Sequence, residues 1–166
     1  MKKISAFVAG IVLSCGAALA QGSGDSRSSL KGLSAIAVLV ADFDPSLECE
    51  GVQKNQLQTD VEGRLSKAGI KILAKEDLPK IQGNPHLLVS LSIMKLDTQS
   101  LHTYYISIEF IQDVVLRRNP GQNCPAVTWS VSVAGTGESV DMQRISNSLT
   151  GLVDRFISAY QSVNPN

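Results

Sequence analysis

"HLLVSLSIMKL", residues 86–96, decides how the rest of the chain is read. Leu87, Val89, Leu91 and Ile93 fall on one face of an extended segment, and Ser90 and Ser92 fall on the other. A period of two with one polar face marks a strand in a sheet that is covered on one side and open on the other. The same pattern returns twice downstream. In "TYYISIEFIQDVVLRR" (103–118), Tyr104, Ile106, Ile108, Phe110 and Val114 share a face. In "AVTWSVSVAG" (126–135), Val127, Trp129, Val131 and Val133 stand opposite Thr128, Ser130 and Ser132. Three such segments in a row predict an antiparallel meander, joined at "LDTQSLH" (96–102) and "NPGQNCP" (119–125). The middle strand is long for its class, which predicts a bulge near Gln112.

Upstream, "LSAIAVLVADF" (33–43) is apolar and ends at Asp44-Pro45, as a strand buried on both faces does. "NQLQTDVEGRLSKAG" (55–69) repeats Leu57, Val61 and Leu65 every four residues, the stripe of an amphipathic helix. Asn55 with Gln58 predicts a capping box, and Gly69 suits the residue after the helix end. "IKIL" (70–73) follows as a short strand, which makes a parallel crossover of strand, helix and strand. The chain closes with Ile145, Leu149, Leu152, Val153, Phe156, Ile157 and Tyr160 at helical spacing between about residues 140 and 163, stopped by Asn164-Pro165. The order βαβ-βββ-α predicts an α+β two-layer sandwich, with two helices on one face of a mixed, mainly antiparallel sheet.

The N-terminus is an export signal. Lys2 and Lys3 precede an uncharged apolar stretch from Ile4 to Leu19, and Ala18-Leu19-Ala20 is an A-x-A cleavage signal. That stretch falls short of the ~20 apolar residues of a comfortable membrane span, and no transmembrane span is expected in the mature chain. Cutting after Ala20 gives a protein free in the periplasm or secreted. Cys15, after Val12-Leu13-Ser14, partly matches a lipoprotein signal, and lipidation there is the alternative. Removing residues 1–20 leaves 13 basic and 15 acidic side chains, a formal charge of −2. Such a surface has no electrostatic footprint for nucleic acid. Residues 21–32, rich in Gly and Ser, read as a flexible lead, and 33–166 as one α+β domain.

Cys49 and Cys124 survive cleavage, and in an oxidising compartment they are expected to pair. The bridge would close a 76-residue loop, worth about 4 kcal/mol in the chain-entropy model. Their spacing is unlike C-x-x-C, which argues against redox catalysis and zinc.

Nothing in the chain assembles a catalytic constellation. His86 opens one strand, and His102 falls in a turn near that strand's far end, so the two are expected far apart. "GTGES" (135–139) has half of a dinucleotide-binding fingerprint, but Val140 holds the third glycine position and the preceding strand is antiparallel. Its glycines are expected to serve a turn. No cofactor is expected. Asp42, Asp44, Glu48 and Glu50 alternate past the first strand and could offer hard oxygen ligands to a cation. Arg117 and Arg118 could pair with acids near Asp42 if those ends meet.

On these blocks the chain resembles a family of small exported bacterial proteins. The resemblance rests on "LQTDVEGRLSKAGIKIL", "LLVSLSI", "ISIEFIQDVVLRRNP", "VTWSV" and "LVDRFISAYQSVNP", and spans roughly residues 35–165. It carries over no activity and no catalytic residue. The order of elements is also similar to envelope accessory lipoproteins, such as the lipopolysaccharide-assembly lipoprotein and auxiliary lipoproteins of transporters. That likeness is one of topology and gives no function; the expected function is a non-enzymatic envelope protein, a binding or accessory module for another envelope protein. Its long, Ser-rich strands would offer a partner either an edge for an added strand or the open sheet face, at Leu88, Ser90, Tyr105, Ile111 and Ser130, with Met94 and Val115 on the same face. The alternative is a metal-binding or small-ligand protein, or an enzyme, using the carboxylates near Asp42. A third reading is self-association through an exposed edge strand.

Overall fold

The computed structural model describes residues 24–44, 52–96, 101–137 and 141–165. The elements run α1 (Gly24–Ser28), β1 (Ile36–Val40), α2 (Lys54–Lys67), β2 (Ile72–Leu73), a 3-10 turn (Lys75–Lys80), β3 (His86–Leu96), β4 (Leu101–Leu116), β5 (Asn119–Gly137) and α3 (Met142–Val163). The five strands form one sheet in the order β2-β1-β3-β4-β5. β1 is parallel to β2 and β3, while β3-β4 and β4-β5 are antiparallel. This is the expected α+β fold, a mixed sheet with its helices on one face.

The alternating residues make the core. Leu87, Val89, Ile106, Ile108, Phe110, Trp129 and Val131 are buried under Leu57, Val61 and Leu65 of α2 and Ile145, Leu149, Leu152, Val153 and Phe156 of α3. At its centre the Phe156 ring lies 6.0 Å from that of Phe110 and meets Trp129 edge-on at 5.2 Å. α2 ends as its sequence predicts. Gly69 takes φ +84°, its N–H donates to Ser66 O, and Ile70 N–H reaches back to Leu65 O at 3.1 Å. That pattern closes the last turn and seats buried Ile70 against Leu65.

Five sequence expectations are corrected. The capping box does not form: α2 starts at Lys54, its N-cap Gln53 has no side-chain bond, and Gln58 donates to Glu62 instead. The bulge lies in β5, because Phe110 faces Trp129 and Ile111 faces Val127, leaving Thr128 over. "NPGQNCP" extends β5, and the turn is Arg117-Arg118. These arginines sit at the end of the sheet away from Asp42, so they cannot pair with it. Finally, the lead is part of the fold from Gly24. Leu30 is fully buried, and Asn164 clamps the segment by donating to Leu30 O at 2.8 Å and accepting from Gly32 N–H at 2.7 Å. Tyr160 adds a bond to Leu33 O at 3.1 Å. The expected signal, with Cys15 and Ala20, lies outside the described residues, as do residues 97–100 of the expected "LDTQSLH" connection.

Gly135 is a strand residue with a packing role. A Cβ there would come within 2.5 Å of the Tyr104 ring, which lies against the bare glycine from the facing position of β4. Tyr104 is partly buried against the core, so the ring must shift for a Cβ to fit. Gly135→Ala therefore costs about 1–3 kcal/mol by overpacking, read as a shift in the urea midpoint. An unchanged midpoint contradicts this packing.

α2 and α3 are tied by Arg64, whose Nε and Nη2 donate to Asp154 at 2.6 and 2.7 Å. The bidentate guanidinium holds the Asp154 carboxyl below its ordinary value of 3.8. A depressed carboxylate contributes stability above its unfolded value and loses it as pH falls through the folded one. Hence the Tm advantage of the native chain over Asp154→Asn is constant above about pH 5 and shrinks as pH falls below 3.8. An advantage that grows on acidification contradicts the assignment.

Candidate functional site

Backbone directions locate the site. Ala37 N–H donates to Pro85 O at 3.2 Å, and Ala41 N–H to Val89 O at 2.8 Å. Odd-numbered β3 residues therefore turn their N–H and C=O toward β1, and even-numbered ones turn toward β4. The bond from Asp113 N–H to Gly83 O, 2.7 Å, agrees: odd-numbered β4 residues face the β3 side.

β1 has 5 residues and β3 has 11. Their register ends at Val40 opposite Val89. Beyond it, among the described residues, no strand pairs with the outer edge of β3, where Leu91, Ile93 and Lys95 present backbone donors and acceptors. A groove of about 520 Å³ lies at this step, lined by 41–44 on one side, by 90–93 along its floor, and by Tyr105. The departing chain at Asp42 forms its wall. Lys54 Nζ holds Asp42 at 2.5 Å and lowers its carboxyl below the usual range.

The residues expected as a partner surface all lie on the sheet face away from the helices, but they do not form one patch. Their registers are Leu39-Leu88-Glu109-Ser130, then Ser90-Ser107-Ser132, then Ser92-Tyr105-Ala134. Leu88 and Ile111 are half-buried near exposed Val127, which faces Ile111. Tyr105 and Met94, 46 % and 61 % exposed, stand past the row of serines. The polar row splits the apolar face in two, and Tyr105 with Ser90 and Ser92 joins the groove.

The other candidates separate. His86 pairs in register with Ile111 and bonds Asn84 O through Nδ1 at 2.8 Å. His102 is in β4, not in a turn, opposite Lys95 and Gly137. Asp42 is ion-paired, Glu48 and Glu50 lie outside the described residues, and no metal-holding group of three acids, histidines or cysteines occurs among those described. Cys124 is a half-buried free thiol opposite Val114, at the end of the sheet away from Asp42. Its expected partner Cys49 lies outside the described residues. A second groove, about 390 Å³, runs between α2 and α3 beside Arg64. No helix among the described residues is long and apolar enough to cross a membrane.

The free β3 edge escaped the sequence reading. Its signal is a difference in strand length, and the apolar run 33–43 conceals it because β1 stops at Val40.

No family model and no curated protein matches the chain. Among solved structures it is similar to the PelC dodecamer from Paraburkholderia phytofirmans, a leucine-to-methionine variant, at 15% sequence identity. That match covers 87% of this chain and 98% of the other, with a TM-score of 0.46.

Proposed function

We propose that this is a non-enzymatic envelope protein, exported and cut after Ala20, that acts as an accessory module by holding an extended segment of another envelope protein. The observation that carries this reading is the step between β1 and β3. Backbone groups at Leu91, Ile93 and Lys95 can pair with an added strand, and the groove beside Tyr105 can take its side chains. Main-chain bonds supply affinity in this mode, and the groove supplies selectivity. Lipidation at Cys15 is the alternative anchor, and intact mass of the exported chain distinguishes the two. The rival reading, a cation held near Asp42, has that carboxylate already engaged by Lys54.

A photo-cross-linker at Ser92, exposed at the groove, tests the proposal in the native envelope fraction. The expected result is one stoichiometric protein adduct at Ser92 and none at Gln161, exposed on α3. Equal labelling at both positions, or none at Ser92, contradicts the reading.

A further inference from the structure

The outer edge of β5 carries a second inference. Even-numbered β4 residues face β5, and the registers Ile106-Val133, Ile108-Val131 and Phe110-Trp129 bring odd-numbered β5 residues to them. Ser130, Ser132 and Ala134 therefore turn their N–H and C=O groups outward. Side chains take the carbonyls at both ends of this stretch. The Ser29 hydroxyl, which donates to Ser26 O at 2.7 Å, shares its proton more weakly with Thr128 O at 3.3 Å, and Arg144 Nη1 donates to Thr136 O at 3.1 Å. Both capped positions are four residues from Ser132. Between them, nothing among the described residues pairs with this edge.

The window lacks the usual protection. Edge strands are normally guarded by charge, proline or a bulge. β5 holds Pro120, Pro125 and its bulge before Trp129, and no charged residue anywhere in its 19 residues. Ser130, Ser132 and Ala134 are small, so a neighbouring backbone can close to strand distance over the open face.

We propose that a second copy of this chain pairs antiparallel along β5, about a two-fold axis at Ser132. Ser132 then faces Ser132 of the second copy, and Ser130 faces its Ala134. The window is bounded at equal distances on both sides of Ser132, so it fits itself in this register, as a closed two-fold contact requires. An uncharged strand meets no like charge across the axis. The two sheets become one continuous sheet, and the β3 edge stays free.

Sedimentation equilibrium over about 1–100 μM reads the association. The native chain gives a reversible dimer. Ser132→Pro is monomeric and folded, with the Tm that the native chain shows at concentrations where it is dissociated, because its lost N–H faces outward and the β4 ladder is intact. Ser132→Cys decides the register independently of how the proline variant folds. Facing residues of a hydrogen-bonded pair lie about 5.5 Å apart at Cα, within disulfide reach. Mild oxidation of Ser132→Cys links two copies at that position, seen by peptide mass. Ser130→Cys links to Ala134→Cys in a mixture and not to itself. A monomer throughout the range, an assembly that survives Ser132→Pro in folded form, or links in another register overturns the proposal.

Discussion

Phe156→Ala lowers the unfolding free energy by about 3–5 kcal/mol, the range for deleting a fully buried aromatic side chain. Phe156 has no exposed surface and lies where α3 meets β4 and β5, against Phe110 and Trp129. Truncation removes the transfer free energy of the ring and leaves a void between a helix and a sheet that are each held by other contacts. The edge-on pair with Trp129 is lost as well, worth about 0.5–1.5 kcal/mol within that total. Domains of this size have about 5–15 kcal/mol in all, so the variant sits near the folding threshold. Urea denaturation checks the figure, and a loss below about 1 kcal/mol contradicts the central placement of Phe156.

Leu30→Ala costs about 2–5 kcal/mol, as for a buried leucine elsewhere in a core. The size of this effect distinguishes an integral lead from a flexible one, for which the same substitution is neutral. Leu30 has no exposed surface and belongs to the core cluster. Its neighbours are fixed by Asn164 and Tyr160 at the other end of the chain. Asn164→Ala provides the companion measurement: it removes the clamp on Leu30 O and Gly32 N–H while leaving the leucine in place. Thermal melts of the two variants, single and combined, show less than additive loss because both act on one contact.

These two sites differ in how legible they were. Phe156 was plain in the sequence, because the stripe through Ile145, Leu149, Leu152 and Phe156 has helical period and needs only local spacing to be seen. The strands β3, β4 and β5 were legible for the same reason: Leu87, Ile108 and Val131 each sit in a period-two run. Leu30 was not legible. It is one apolar residue among Ser and Gly, and its partners lie 134 and 132 residues away in the bonds from Asn164 to Leu30 and Gly32. Composition reports what a segment can do alone, not what a distant asparagine does to it.

The β4-β5 hairpin misled for a related reason. Pro120, Gly121 and Pro125 are turn residues by composition, yet an edge strand tolerates proline on its unpaired side. The chain turns at Arg117-Arg118 instead, two residues that carry no turn signal. The candidate site was half legible. Alternation placed Ser90, Tyr105 and Ser130 on the open face, but their division by the serine row and the early end of β1 follow from register alone.

Amide hydrogen exchange along β3 reads the free edge residue by residue, measured on the purified chain and again with the protein captured through Ser92. An open edge gives fast exchange at Leu91, Ile93 and Lys95 in the free chain, slow exchange at Ser90 and Ser92, and protection of all five in the complex. Slow exchange at Leu91, Ile93 and Lys95 in the free chain, or fast exchange there in the complex, contradicts it.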